Sequence, residues 1–473
     1  MRHVFGSIIF ALFALPALAE APTLSDLYAE RLSTMARSAL SDDTGYRRLG
    51  ELCDRFGHRI SGSATLEAAI DWAVGLMGSD GFVVHKEPVQ VPVWVRGAER
   101  AEVITPQRRA LTILGLGGTT ATPEGGVEAE VVAVGSLDAL DALPDDAVKG
   151  RIVLIDQPFT TYGETVQIRG QGAAHAAKKG AVAVLIRSVT PISLSTAHTG
   201  AMRFEEGEPT VPAAALTVED ASWMHRVLDA GQTVRVRLEL HSERKPDATS
   251  YNVIADLPGR EKPEEIVVLG CHIDSWDVGQ GAQDDGAGCL IVWEAARQIA
   301  LGEHPRRTVR VVLFTNEENG LRGGVNYAEV HAAELPRHVA AIEADTGNGP
   351  STGFRLDLGG LPEGDPRRLR AQGLVWQLEA LLAPYGGGSW VVGGAGADVG
   401  PSVAAGVPGL GLNQDMDGYW PIHHTWADTF DKIDRVELQK NVALVAATAW
   451  TLAEMPERLV EPVAPTKPSK RHK

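Results

Sequence analysis

The chain has 473 residues, 44% of them apolar, and its 61 acidic against 44 basic side chains give a net charge of −17. Length and apolar content suit a folded protein with a sizeable core and two or three domains. The acidic balance excludes a nucleic-acid-binding surface and predicts a soluble, self-repelling particle.

The amino terminus, MRHVFGSIIFALFALPALAEAP, joins a short basic start to an apolar stretch from Val4 to Leu15 and the small-residue site Ala17-Leu18-Ala19. This is the pattern of a cleavable secretory signal over residues 1–19. A membrane anchor is the alternative, but the stretch is interrupted by Pro16 and falls short of the ~20 residues that span a bilayer. No later run is long enough to span. The mature chain is therefore expected to be secreted, or periplasmic in a Gram-negative host. The three cysteines, Cys53, Cys271 and Cys289, allow one bridge at most and exclude a disulfide framework. Neither Cys271 nor Cys289 lies in a spacing that suits a cysteine-rich zinc site, and both read as small buried residues.

Residues 24–78 read as helices. LSDLYAERLSTMARSAL and LEAAIDWAVGLM carry apolar residues at three- and four-residue spacing, split by GHRISGSA. From about Val89 the pattern changes to short strands: AVKGRIVLID, GAVAVLIR, VPAAALTV and TVRVRLELH, with one helix, QGAAHAAKKG, among them. Residues 117–242 thus look like a β-rich module inserted between a first part, 20–116, and a second part, 243–457. In the second part strand, loop and helix alternate: EEIVVLG, then a glycine- and aspartate-rich loop, then CLIVWEAARQIAL; TVRVVLFT, then NEENGLRGG, then VNYAEVHAA; and finally HVAAIEAD. Continuous apolar strands alternating with helices predict an α/β fold, a mixed and mostly parallel sheet with helices on both faces. The end, residues 458–473, is Pro-rich and basic and is expected to be a disordered tail.

In such sheets, sites form beyond the carboxyl ends of the strands. His272, the pair Glu317 and Glu318, and Asp345 each follow directly on an apolar strand, and PIHHTWADTF adds His423 and His424 in a later loop. Each has an ordinary reading alone: a histidine at a strand end is usually a capping or surface residue, paired glutamates a solvated helix start, and the DDG of Asp284–Gly286 a turn and helix cap. Their conjunction at equivalent places outweighs those readings. Imidazoles and carboxylates from separate strand ends suit Zn²⁺, and a carboxylate shared between two ions suits a two-metal hydrolytic site.

GCHIDSWDVGQGAQDDGAG, FTNEENG, EAD and HHTWADT together resemble the co-catalytic zinc exopeptidases, most closely the plasma glutamate carboxypeptidase (carboxypeptidase Q) group. DRFGHRISGS, ILGLGG and LIRSVTPISLSTAHTG extend the resemblance over nearly the whole mature chain. It implies a phosphorylase/hydrolase-like fold in which the inserted module is a protease-associated domain. It implies two Zn²⁺ per chain, one held by His272 and Asp345, the other by Glu318 and His424, with Asp284 bridging them and a cis bond from Asp284 to Asp285. Glu317 would be the general base acting on the water between the ions, and Asp274 would accept the second N–H of His272 and fix its tautomer. His424 fits the family's histidine position; His423 stands where many relatives carry a Tyr that stabilises the oxyanion. A homodimer is also implied.

The expected activity is hydrolysis of dipeptides or short peptides near a free terminus. Within the same fold the alternatives are an aminopeptidase on longer peptides, a glutaminyl cyclase, which generally binds one zinc, or an inactive binding protein.

Overall fold

The computed structural model describes residues 22–203 and 207–461. The expected signal segment lies outside them, as does the expected tail from residue 462 onward; Arg458 to Glu461 are described, and Leu459 and Val460 are buried.

Three helices open the chain, at Leu24–Leu40, Thr44–Phe56 and Ala64–Ser79. The first begins where the sequence predicts because Thr23 and Asp26 form a reciprocal capping box, satisfying main-chain N–H groups that the first turn leaves free. Ser63 caps the third from one side only, its hydroxyl accepting the N–H of Leu66.

Eight strands form the larger sheet: β1 (Val83–Val95), β2 (Glu243–Leu257), β3 (Lys262–His272), β4 (Arg307–Phe314), β5 (His338–Glu343), β6 (Ser351–Asp357), β7 (Trp390–Val392) and β8 (Gly409–Gln414). Their spatial order is β1-β2-β4-β3-β5-β8-β6-β7. The central β4, β3, β5 and β8 are parallel; β2 joins β4 and β6 joins β8 in antiparallel fashion.

The unbroken apolar runs of these strands follow from burial on two sides. Val267, Leu269 and Cys271 of β3 enter the core beneath the helices Ala287–Ala300 and Arg435–Glu454, while Ile266 and Val268 enter a second core with Tyr327, Val399 and Val403. Alternate residues of one strand therefore need apolar partners on opposite faces. The register sets His272 beside Phe314 and Gly270 beside Glu343, so the carboxyl ends of β3, β4 and β5 lie at one edge.

The inserted module has its own eight-stranded sheet with apolar cores on both faces. This sheet also takes in Glu99–Thr105, Arg109–Leu111 and Ile113–Gly115, strands that precede the Gly117 at which the composition changes. The reason is pairing: Glu99–Thr105 runs antiparallel to Arg235–Leu240, tying the incoming chain to the outgoing one. At the junction Trp94, Leu114, Ala197 and Trp276 pack together, and Arg96 reaches Asp277 as a bidentate ion pair. Gly117 permits this approach, since a Cβ there would lie 2.0 Å from the Trp276 ring.

Candidate metal centre

The level strand ends place His272 at the tip of β3, Glu317 and Glu318 just past β4, and Asp345 just past β5. Asp284 lies between β3 and the helix Ala287–Ala300, in a segment where the bond to Asp285 is cis. The main-chain N–H groups of Ala282, Gln283 and Asp284 all donate to the Asp428 carboxylate. Arg59, fully buried, holds the same segment by donating to the carbonyls of Ile273, Gln280 and Gly281.

The Asp284 carboxylate stands between two imidazoles. Its Oδ1 is 3.3 Å from His272 Nε2, and its Oδ2 is 3.2 Å from His424 Nε2. His272 Nε2 also lies 3.3 Å from Asp345 Oδ1, and His424 Nε2 lies 3.2 Å from Glu318 Oε2. Two donor sets result, His272/Asp284/Asp345 and His424/Asp284/Glu318, sharing one carboxylate.

The donor chemistry fits cations. His272 Nδ1 donates to the Asp274 carbonyl at 3.0 Å, and His424 Nδ1 donates to the Thr199 carbonyl at 3.1 Å. With Nδ1 occupied in this way, each Nε2 faces two carboxylate oxygens, an arrangement that calls for positive charge between them, either a metal ion or a proton. Donors sharing a tetrahedral ion at ~2.0–2.2 Å stand ~3.3–3.6 Å apart, close to the separations found. Asp284 Oδ2 is buried without a hydrogen-bond partner. Burial and the neighbouring Asp284 push the Glu318 carboxyl up to about 7. Burial opposes charge on His272, but the Asp284 and Asp345 carboxylates outweigh it and hold its pKa well above the usual imidazole value.

Glu317 belongs to neither set. It lines the cleft beside them, and burial with the nearby carboxylates raises its pKa well above the usual range. Asp274 differs from expectation: the His272 ring takes the main-chain carbonyl of Asp274, and the carboxylate Oδ1 is 3.8 Å away. That carboxylate instead accepts the N–H groups of Glu317 and Glu318 at 3.0 and 3.3 Å. Those buried donors lie beyond the β4 ladder and need an acceptor, which the aspartate supplies. Trp276 N–H, donating to Glu318 Oε1, leaves Oε2 facing His424.

His423 stacks on His424 with ring centroids 3.6 Å apart, and its Nε2 is 3.7 Å from Asp284 Oδ2. Its Nδ1 is buried without a partner, and burial with the adjacent His424 holds its pKa well below the ordinary value, so the ring is neutral.

Above this floor opens a cleft of about 550 Å³. One wall comes from the inserted module: Tyr162, Gln167 and Arg169 of the helix Tyr162–Lys178, and Met202 and Arg203 after it. Arg169 donates to the Thr199 carbonyl and to the Tyr162 hydroxyl. Sequence reading identified none of these residues, nor Tyr419 on the opposite loop; the acid at Asp428 belongs to the HHTWADT motif but its grip on Asp284 is a tertiary contact.

Residues 252–449 match peptidase family M28, and residues 127–224 match the PA domain. Mouse carboxypeptidase Q is 40% identical over 416 residues, covering 88% of this chain and 86% of its own. Carboxypeptidase Q of Xenopus laevis is 39% identical over 433 residues, covering 91% and 90%. The crystal structure of a peptidase M28 precursor from Shewanella amazonensis is 38% identical, superposes with a TM-score of 0.87, and covers 93% of this chain and 100% of that one.

Proposed function

The chain belongs to peptidase family M28 and is a metallopeptidase with an inserted PA domain, and from that premise we propose that it is an exported exopeptidase that holds two zinc ions and hydrolyses dipeptides and short peptides. One observation carries the reading: a single buried carboxylate, Asp284, faces two imidazole nitrogens at 3.3 and 3.2 Å, each backed by a further acid.

In this reading His272, Asp345 and Asp284 hold one ion, and Glu318, His424 and Asp284 the other. Zinc, when bound, supplies Lewis acidity to a peptide carbonyl and makes water a stronger acid. Glu317, outside both donor sets and at the cleft floor, takes a proton from the attacking water on its carboxylate and returns it to the leaving amine. Asp274 acts through the main chain: by accepting from both Glu317 and Glu318 it sets one carboxylate toward the donor set and its neighbour toward substrate. Neutral His423 donates a hydrogen bond to the carbonyl oxygen as that oxygen gains charge. The module's wall, with Tyr162 and Arg169, limits water and bounds the length of peptide that fits.

A bounded cleft favours short substrates over the longer peptides of the aminopeptidase alternative, and two donor sets disfavour the single-zinc cyclase. Among the described residues no helix is long and apolar enough to cross a membrane, which is compatible with export. The test is a dipeptide-library screen on purified mature chain, read by mass spectrometry, with free, N-acetylated and decapeptide substrates in parallel. Unblocked dipeptides should be cleaved fastest; preference for long peptides with a free amino terminus would move the enzyme to the aminopeptidase reading, and preference for N-acetylated peptides would contradict both readings.

A further inference from the structure

The end of β3 and the start of the helix Ala287–Ala300 meet in a cluster that the proposed reaction does not use. Cys271, just before His272, and Cys289, in the first turn of the helix, are both buried, and their sulfurs touch at 2.6 Å. Between them the chain loops out through His272, Asp274 and Asp284 and returns. Asp285 holds the same junction without a covalent bond, its carboxylate accepting the N–H of His272 at 3.2 Å and that of Gly288 at 3.1 Å. Two buried thiols beside a carboxylate are also a donor set for a further metal ion. The geometry argues against that use. Two sulfurs on one tetrahedral zinc, each at ~2.3 Å, stand ~3.8 Å apart, well beyond the separation here, and both Asp285 oxygens are engaged by main-chain N–H groups. Two touching thiols can instead lose two hydrogens and bond, and an export compartment supplies the oxidant.

We infer that Cys271 and Cys289 form a disulfide in the exported chain, closing the loop that carries His272 and Asp284. The inference rests on the export reading above for its oxidant and on the contact of the two sulfurs for its pairing. One thiolate attacks the disulfide of the oxidant, such as oxidised glutathione, and displaces one of its sulfurs; the second thiolate then displaces the other from the mixed disulfide. Each cysteine gives up its proton, and the electron pair reduces the oxidant to two thiols. Because both sulfurs are buried in the folded chain, the step belongs to folding, and the finished bond is sheltered from reductants. The S–H that Cys289 directs at the His272 carbonyl, 3.1 Å away, is a weak donor, so its loss costs little. The bond limits how far the loop can spread when it opens, which keeps His272 and Asp284 within reach of one ion. Cys53, buried on the helix Thr44–Phe56, is left as the free thiol.

To test this, the full chain is expressed in a Gram-negative host, purified from the periplasm without reductant, unfolded in iodoacetamide and digested with trypsin. Only Cys53 should be alkylated, and the peptide of residues 261–297, which contains both other cysteines, should be lighter than its reduced form by two hydrogens. In a second arm the chain is unfolded under reductant and refolded with zinc and a mixture of reduced and oxidised glutathione; the same pair should form. Wild type refolded under reductant alone should release zinc to EDTA faster than the oxidised form, and at the rate of the double variant Cys271→Ala/Cys289→Ala. Alkylation of all three cysteines in a chain cleaved of residues 1–19, or after refolding with glutathione, would overturn the inference, as would a third zinc ion held by the two thiols. Equal zinc release from oxidised and reduced wild type would overturn the role of the bond at the site. A chain recovered from the cytoplasm with residues 1–19 attached would fail the export reading alone, since the refolding arm decides the pairing by itself.

Discussion

Thr199 and His424 are paired through both faces of one contact: the Thr199 N–H donates to the His424 carbonyl at 3.0 Å, and His424 Nδ1 donates to the Thr199 carbonyl at 3.1 Å. Thr199 belongs to the inserted module and His424 to a loop of the larger domain, so the module orients an imidazole of the candidate metal centre. His424 itself sits at φ +61°, a backbone conformation that such a residue adopts only when its surroundings enforce it.

Disturbing that contact from the module side should be felt at the metal. Gly200 has φ +137°, and a Cβ there would lie 2.4 Å from the Arg169 guanidinium. Gly200→Ala should therefore weaken zinc retention and lower kcat while the chain stays folded. Zinc content after dialysis, compared with circular dichroism, checks this; full retention of metal and activity would show that the module does not support His424.

The adjacent glutamates should separate by phenotype. Glu317→Ala removes proton transfer but no donor to metal, so kcat should fall by about 10²–10⁴ with zinc retained. Glu318→Ala should lose zinc instead. Turnover and metal content measured on the same preparations distinguish the two, and a Glu317→Ala enzyme with wild-type turnover would misplace the base.

His423→Ala should lower kcat by about 10²–10³ with KM nearly unchanged, because a donor to the developing oxyanion acts only in the transition state. His423→Tyr should recover part of the loss, since a phenol can donate from a similar place. An alanine variant with unchanged kcat, or one that loses zinc, would assign His423 a structural or ligating role.

A pH-dependent contribution to stability lies away from the site. His331 bridges Glu87 of β1 and Glu334, each at 2.9 Å. Burial disfavours its charge, but the two carboxylates raise its pKa. Glu87, although burial acts against it, is lowered chiefly by its hydrogen bond from His331. The raised histidine stabilises fully below its unfolded value of ~6.5 and loses that contribution as pH rises through its folded value. The lowered Glu87 contributes above its unfolded value of ~4.3 and loses it as pH falls through its folded one. His331→Ala should thus lower the melting temperature more at pH 6 than at pH 9; equal losses at both would remove the charge contribution.

The first helix was legible in sequence to its ends because its capping box is local to Thr23 and Asp26. The strand ends carrying His272, Glu317, Glu318 and Asp345 were legible because each closes a run buried on two faces. What escaped is what depends on contacts across the fold. Thr199 and Arg169 approach His424 from more than 200 positions away, and nothing in their own neighbourhood marks them. The resemblance implies that the Asp274 carboxylate serves His272, whereas the main chain after β4, distant in sequence, claims it. The strands Arg109–Leu111 and Ile113–Gly115 are too short to show alternation.

The central claim is that Asp284 is shared by two zinc ions. Zinc in the purified, active wild type and in Asp284→Ala, determined by inductively coupled plasma mass spectrometry after exhaustive dialysis, tests it most directly. About two ions per wild-type chain, with both lost together in Asp284→Ala, is the predicted result; one ion or fewer in fully active wild type, or loss of only one in the variant, would contradict it.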